Sequence, residues 1–170
     1  MMPIDVTNTM MPPPAPRKPR RRRAFTIVEL MTVLTFVAIL AALAIPRFAG
    51  SIRRQRADAA ANRIVADLRL AQRHARIASV SQTVQFYPSQ LRYELVGLAN
   101  PNRPSETYTA DLSQTPYEIS ALSVDCGGDS VLTYDMYGMP DSGGTIVVWI
   151  GNETRTITIE ASTGEAGVSE

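Results

Sequence analysis

The chain has little of what enzymes use: one cysteine and one histidine in 170 residues. Cys126 has no partner within the chain, so an internal disulfide is excluded. A lone thiol in an oxidising compartment is expected to be buried and inert. His74 has no cysteine or acid at ligand or triad spacing, which removes the common metal and nucleophilic arrangements built on histidine; it is expected to be a solvated helix residue. The pairs Gly127-Gly128 and Gly143-Gly144 lack the lysine and serine of a phosphate loop and are expected to serve turns. Asp125, Asp129 and Asp135 do not have EF-hand spacing, and no metal site is expected there. The reading is of a chain with no catalytic residues, no metal and no cofactor.

Basic residues are also scarce where a nucleic acid would need them. Residues 77–170 hold three arginines against twelve acids, a net charge of −9, and the tail beyond Ile159 has no basic residue. Such a surface repels a duplex, so DNA is not an expected partner. Residues 46–76 carry the opposite balance, eight arginines against Asp58 and Asp67, a net +6.

What the chain does have is one long apolar run, 25–45, with twenty-one residues and a single charge, Glu29. As a helix it would extend about 30 Å, the thickness of a bilayer's hydrocarbon core. A cleavable secretory signal has a shorter apolar region, about 7 to 15 residues, and admits no acid within it. An intramembrane carboxylate costs about 2.5 to 3.5 kcal/mol near the helix centre and reads by default as a partnered, functional residue. The bland alternative is that Glu29, close to the helix start, snorkels toward the arginines that precede it. Residues 1–24 hold six prolines, four methionines and six basic residues, too little to bury a core, and read as a leader. Arginines flank the apolar run on both sides, so charge alone orients it weakly.

The run Ala24-Phe25-Thr26-Ile27-Val28-Glu29-Leu30 behind Arg20–Arg23 resembles the processing site of type IV prepilins and pseudopilins, with Ala24 where that family usually has glycine. The resemblance implies that a prepilin peptidase cuts between Ala24 and Phe25 on the cytoplasmic side and methylates the new amine of Phe25. It implies that Glu29 pairs with such an amine on a neighbouring helix during filament assembly. The partners so implied are the peptidase, the inner membrane, and other pseudopilins or pilins through the N-terminal helix.

Pro46 lacks the donor for the bond one turn back, so a helix kink is expected there rather than a stop. Beyond it Ala57, Ala61, Ile64, Leu68, Ala71, Ala75 and Ala78 repeat at spacings of four and three, predicting an amphipathic helix to about Ser79 whose small-residue stripe packs on a sheet. From Ser81 the period changes to two. QTVQFY, LRYELV, YEISALSV, VLTY, TIVVWI and RTITIE read as strands, the last two as a hairpin turning at Gly151-Asn152-Glu153. Residues 99–116 read as a long surface loop.

A more specific resemblance, covering most of the chain, is to the H-type minor pseudopilins of type II secretion and the related FimT-like minor pilins. It is carried by ANRIVADLRLAQRHA, by the turn from Tyr134 through Asp135 and Gly138 to Pro140, by Gly143-Gly144-Thr145-Ile146, and by Thr163-Gly164-Glu165. Tyr134 replaces the family's phenylalanine and Glu165 its arginine, which removes a positive charge from the tail. The expected fold is α+β and pilin-like: a long kinked N-terminal helix, half transmembrane and half amphipathic, packed on an antiparallel head of two sheets. The expected organisation is a cleaved leader over 1–24, a transmembrane helix over 25–45, a helical stem over 46–79 and a periplasmic β domain over 80–170. The expected function is a minor pseudopilin with a tip or priming role in protein secretion. The alternatives are a FimT-like minor pilin in pilus assembly or DNA uptake and, from another class, an uncleaved single-pass membrane receptor.

Overall fold

The structure, a computed structural model, describes residues 26–101 and 103–169, with backbone alone for 43–49. The described chain divides into two units between Ala41 and Ala42. Helix α1, Ile27–Ala78, begins in the first and ends in the second. Pro46, the expected bend, falls among the residues whose side chains lie outside the described set.

The first unit is the start of α1. Its large apolar side chains, from Ile27 and Val28 through Phe36 to Leu40, are exposed. The hydroxyls of Thr32 and Thr35 donate to the carbonyls of Val28 and Met31, both at 2.8 Å, so neither leaves an unmet donor on the apolar surface. Among the described residues no helix is long and apolar enough to cross a membrane; the sequence stretch 25–45 reaches past the described side chains at both ends.

In the second unit the predicted stripe is the buried face of the stem. Ala57, Ala61, Ile64, Leu68, Ala71 and Ala75 are all essentially inaccessible, and Ala60 and Val65 widen the face. Ala78 does not follow, being exposed in the last turn. The helix stops at Ser79, whose φ of 53° is left-handed, with the Val80 amide bonding back to the Ala75 carbonyl at 3.2 Å. This is a Schellman-type end with serine in the position glycine usually takes.

Two four-stranded antiparallel sheets complete the fold. The first has the order β3-β2-β1-β5, from β1 (Gln82–Tyr87), β2 (Arg92–Asn100), β3 (Arg103–Asp111) and β5 (Val131–Tyr134). The second has the order β4-β6-β7-β8, from β4 (Ala121–Cys126), β6 (Gly144–Ile150), β7 (Glu153–Ile159) and β8 (Ala166–Ser169). Alternate residues turn inward: Val84 and Phe86, Tyr93 and Leu95, Leu132 and Tyr134 from the first sheet, Ile146, Val148 and Ile150 with Ile157 and Ile159 from the second. With the alanine face of the stem they form one hydrophobic cluster. The small side chains of that face allow the helix to lie close to both sheets.

The predicted hairpin is present: Ile150 pairs with Glu153 across Gly151 and Asn152, and Gly151 has the positive φ of 59° that such a turn needs. Two expectations fail. Residues 99–116 are not a structureless loop, because β3 occupies half of them and pairs with β2 from Arg92↔Asp111 to Asn100↔Arg103. Only Tyr108 and Ala110 of β3 are buried; the first half is exposed on both faces, which erases the period-two signal. Pro104 is tolerated because β3 is an edge strand, where a missing donor breaks no ladder. The strand predicted over 117–124 starts later, at Ala121, because the amides of Tyr117 and Glu118 both turn back to the Gln114 carbonyl.

Candidate functional site

Of the residues the sequence singles out for processing and assembly, Ala24 and Phe25 lie outside the described residues. Thr26 and Glu29 open α1. The Thr26 hydroxyl accepts the Glu29 amide at 3.2 Å, and the Thr26 carbonyl accepts the Leu30 amide at 3.1 Å. Thr26 is therefore the N-cap, and Thr26-Ile27-Val28-Glu29 is the T-x-x-E spacing of a capping box, a helix-start signal legible in the sequence. The acid also sits at the positive end of the helix dipole. The Glu29 carboxylate is exposed and has no cation partner among the described residues. An acid in the first turn of α1, whose residues 27–42 are otherwise uncharged and are exposed, presents one directional attachment point on a surface that is otherwise non-directional.

The stem arginines differ in their partners. In its first half Arg54 pairs with Glu153 at 3.2 Å and Arg56 with Glu118, while Asp58 receives Arg155 from β7 at 2.6 Å. Further along, Asp67 is 5% exposed and sits at the centre of a polar knot. One of its oxygens accepts the Tyr93 hydroxyl at 2.6 Å and Arg63 Nε at 2.9 Å, and the other accepts the Tyr108 hydroxyl at 2.9 Å. The Arg63 guanidinium also donates to the Tyr108 oxygen, closing a ring that ties the stem to β2 and β3. Burial, with the adjacent carboxylate adding to it, pushes the Tyr93 hydroxyl well above its usual range and that of Tyr108 up to about 12. Burial opposes the charge on Arg63, but the bond to Asp67 and its attraction outweigh this and hold the guanidinium firmly protonated. The i,i+4 spacing to Arg63 is legible in the sequence, but the burial of Asp67 is not, since its tyrosine partners lie 26 and 41 residues away.

The motifs that carried the second resemblance converge on the end of the stem. Gln72 Nε2 donates to the carbonyls of Gly138 at 2.9 Å and Thr163 at 2.8 Å, joining the turn after β5 to the turn before β8. Arg76 Nε donates to the Tyr137 carbonyl at 3.0 Å, and Arg69 to the Ala166 carbonyl at 3.1 Å. Gly164 has a φ of 69°, and a Cβ there would lie 2.8 Å from Gln72 Nε2 and 2.9 Å from the Tyr134 ring. Gly164→Ala is expected to cost about 3 kcal/mol, left-handed strain adding to overpacking against a buried ring. A denaturant melt of the variant reads this directly; a loss under about 1 kcal/mol would mean that the turn relaxes freely.

The three aspartates considered for calcium serve their own turns. Asp125 accepts the Gly128 amide at 2.9 Å, Asp129 the Val131 amide at 2.8 Å, and Asp135 the amides of Tyr137 and Met139 at 2.9 and 2.8 Å. Gly127 and Gly128 occupy a turn with positive φ, as expected. Gly144 does not: it lies within β6 and is there for close approach, since a Cβ would sit 2.8 Å from the Cys126 sulfur. Cys126 is buried, and burial, reinforced by Asp129, Asp141 and Asp125, pushes its thiol up to about 11, far from a reactive thiolate. His74 departs from its expected solvation, being half-buried with Nδ1 enclosed and without a hydrogen-bond partner among the described residues.

No family model matches the chain, and no curated protein matches it. Solved structures do. The type IV minor pilin FimU of Pseudomonas aeruginosa is similar at 14% identity with a TM-score of 0.52, over 69% of this chain and 90% of that one. The minor pseudopilin EpsH of the type II secretion system of Vibrio cholerae is similar at 13% identity with a TM-score of 0.51, over 67% of this chain and 96% of that one. The α+β architecture of stem and two antiparallel sheets is the fold of type IV minor pilins and minor pseudopilins, in keeping with the resemblance carried by Phe25–Leu30 and by the turns around Gly138 and Gly164.

Proposed function

We propose that the protein is a minor pseudopilin, a non-catalytic subunit of a type II secretion pseudopilus. The observation that carries this is a lone exposed acid, Glu29, on the capped first turn of an exposed apolar helix, in a chain whose head has the minor-pilin fold. In this reading residues 25–45 hold the precursor in the inner membrane with 1–24 in the cytoplasm and the head in the periplasm. Prepilin peptidase frees and methylates the amine of Phe25, and Glu29 aligns the helix with a neighbour through such an amine. Pro46 loosens the helix where the membrane half meets the stem. Leaving lipid is offset as neighbouring helices rebury the apolar surface.

A secretion role is favoured over DNA uptake because each arginine of the head is already engaged. Arg155 meets Asp58, Arg103 meets Glu106 at 3.3 Å, and Arg92 stacks on Tyr87 while bonding Gln90. Arg92 alone of the three meets no carboxylate within 4 Å among the described residues, too little positive charge to hold a phosphate backbone against the twelve acids of residues 77–170. Mass spectrometry of the native N-terminus tests the reading: the expected mature chain begins with N-methylated Phe25. Recovery of the chain with the basic leader attached, in cells with active prepilin peptidase, would overturn it and favour the membrane receptor.

A further inference from the structure

The arginines at the end of the stem are the unassigned feature. Arg69, Arg73 and Arg76 follow one another at spacings of four and three, so they share a helix face and span about 10 Å of it. They line an open groove with Gln72, Thr163 and Glu165. Each is held by a single carbonyl: Ala166 for Arg69, Arg69 for Arg73 at 3.3 Å, and Tyr137 for Arg76. Unlike Arg54, Arg56 and Arg63, none of the three meets a carboxylate within 4 Å among the described residues. A guanidinium has five donors, so most of this donor set stays available.

Beside the groove stands a turn that presents Met136, Tyr137 and Met139, which are 48%, 69% and 39% exposed. The turn is fastened from within. The Asp135 carboxylate takes the amides of Tyr137 and Met139, the Asp135 amide bonds the Met139 carbonyl at 2.8 Å, and Gln72 and Arg76 hold the carbonyls of Gly138 and Tyr137. Exposed apolar side chains on so constrained a backbone lose little conformational freedom when covered. Tyr, Met and Arg are the residue types enriched at the centres of protein interfaces.

We propose that this surface, the groove of Arg69, Arg73 and Arg76 together with the Met136–Met139 turn, docks an acidic protein segment of a neighbouring filament subunit, carboxylates against the arginines and an apolar recess over Tyr137. Acids at alternate positions of an extended segment lie about 6.6 Å apart, close to the rise of about 6 Å from Arg69 to Arg73. A polyanion fits worse than a local pair of carboxylates: Glu165 lines the same groove, and the head behind it carries −9. The inference deepens the filament-subunit reading and rests on it.

The test uses the full chain in cells with active prepilin peptidase. A photo-crosslinking amino acid replaces Tyr137, and, as control, Ser113. The expected result is a protein adduct from position 137, several-fold stronger than from 113, whose crosslinked peptide carries two or more Asp or Glu. Arg73→Glu, alone and with Arg69→Glu, is expected to lower the yield about tenfold, while Arg73→Lys with Arg69→Lys retains most of it. Arg73 makes only one bond, within its own helix, so the single variant isolates the charge. Equal yields from 137 and 113, a captured peptide without acids, a yield indifferent to charge reversal, or capture of nucleic acid or lipid would each overturn the proposal. If the chain starts at Phe25 and position 137 still captures nothing beyond control, this surface alone fails; an intact leader defeats the filament reading itself.

Discussion

Asp67→Ala is expected to lower the unfolding free energy by about 3 kcal/mol, the largest stability loss of any single polar truncation in the head or stem. The substitution leaves two buried hydroxyls and the Arg63 guanidinium without their acceptor. Breaking a sealed pair costs about 3 to 5 kcal/mol; Arg63 can recover some hydration because its side chain is 40% exposed, which places the loss toward the lower end. Asp67→Asn keeps one acceptor oxygen and is expected to lose less. The same knot has a pH signature. Tyr108 is raised to about 12 against an unfolded value of 10.0, so its contribution is intact below about pH 10 and is lost as pH rises through 12. Denaturant melts of the mature chain in detergent, at neutral pH and above pH 10, read both effects. A loss under 1 kcal/mol for the alanine variant would show that the core alone holds the stem to the first sheet.

If the protein is the pseudopilin proposed above, Glu29→Val is expected to leave membrane insertion and leader cleavage intact while reducing recovery of the protein in assembled filaments by about tenfold or more, since an unmatched charged group at a buried contact costs several kcal/mol. The separation follows from the local geometry. The cap bond uses the Glu29 backbone amide, not its carboxylate, so it survives the substitution. The carboxylate itself touches no cation among the described residues, so within the subunit little is lost. Valine makes the segment more apolar, which favours insertion. Filament pull-downs of wild type, Glu29→Val and Glu29→Gln, quantified beside the processed fraction, decide the matter. Co-purification of the valine variant at wild-type level would mean that the helix docks without its acid.

The parts of the fold that could be read from the sequence are those governed by short-range periodicity. The stem's alternating spacings of four and three name most of its buried face, missing Ala60 and Val65 at its margins and overreaching at Ala78, where the helix ends. The β6–β7 hairpin is announced by the continuous apolar run Ile146–Ile150 before Gly151 and by the alternation of Thr154–Ile159 after it. β3 is hidden because half of it faces solvent on both sides and contains Pro104, so composition speaks for a loop while the ladder to β2 decides for a strand. β8, with a single buried residue, offers no period to detect. The candidate surfaces divide in the same way. Glu29 stands out because it is alone among apolar neighbours, and that contrast needs no tertiary information. Asp67 and the arginines look alike in a charge count. Only folding decides that Arg54, Arg56 and Arg63 are neutralised within the subunit whereas Arg69, Arg73 and Arg76 are not.

The edges of the two sheets bear on how such a chain survives crowding. A filament holds its subunits at very high local concentration, and any exposed strand edge is then a template for pairing with the next copy. Here β5 and β8 are only four residues long. β3 is interrupted by a register shift in its pairing and carries Arg103, Pro104 and Glu106 along its exposed half. β4 ends in Asp125 and Cys126 at a tight glycine turn. The edges β3, β5 and β8 are therefore too short, too charged or too irregular to recruit a strand readily, and in the proposed filament the apolar helix would carry the contacts between subunits. In that proposed filament, ordered assembly through the helix would be kept apart from irreversible sheet aggregation.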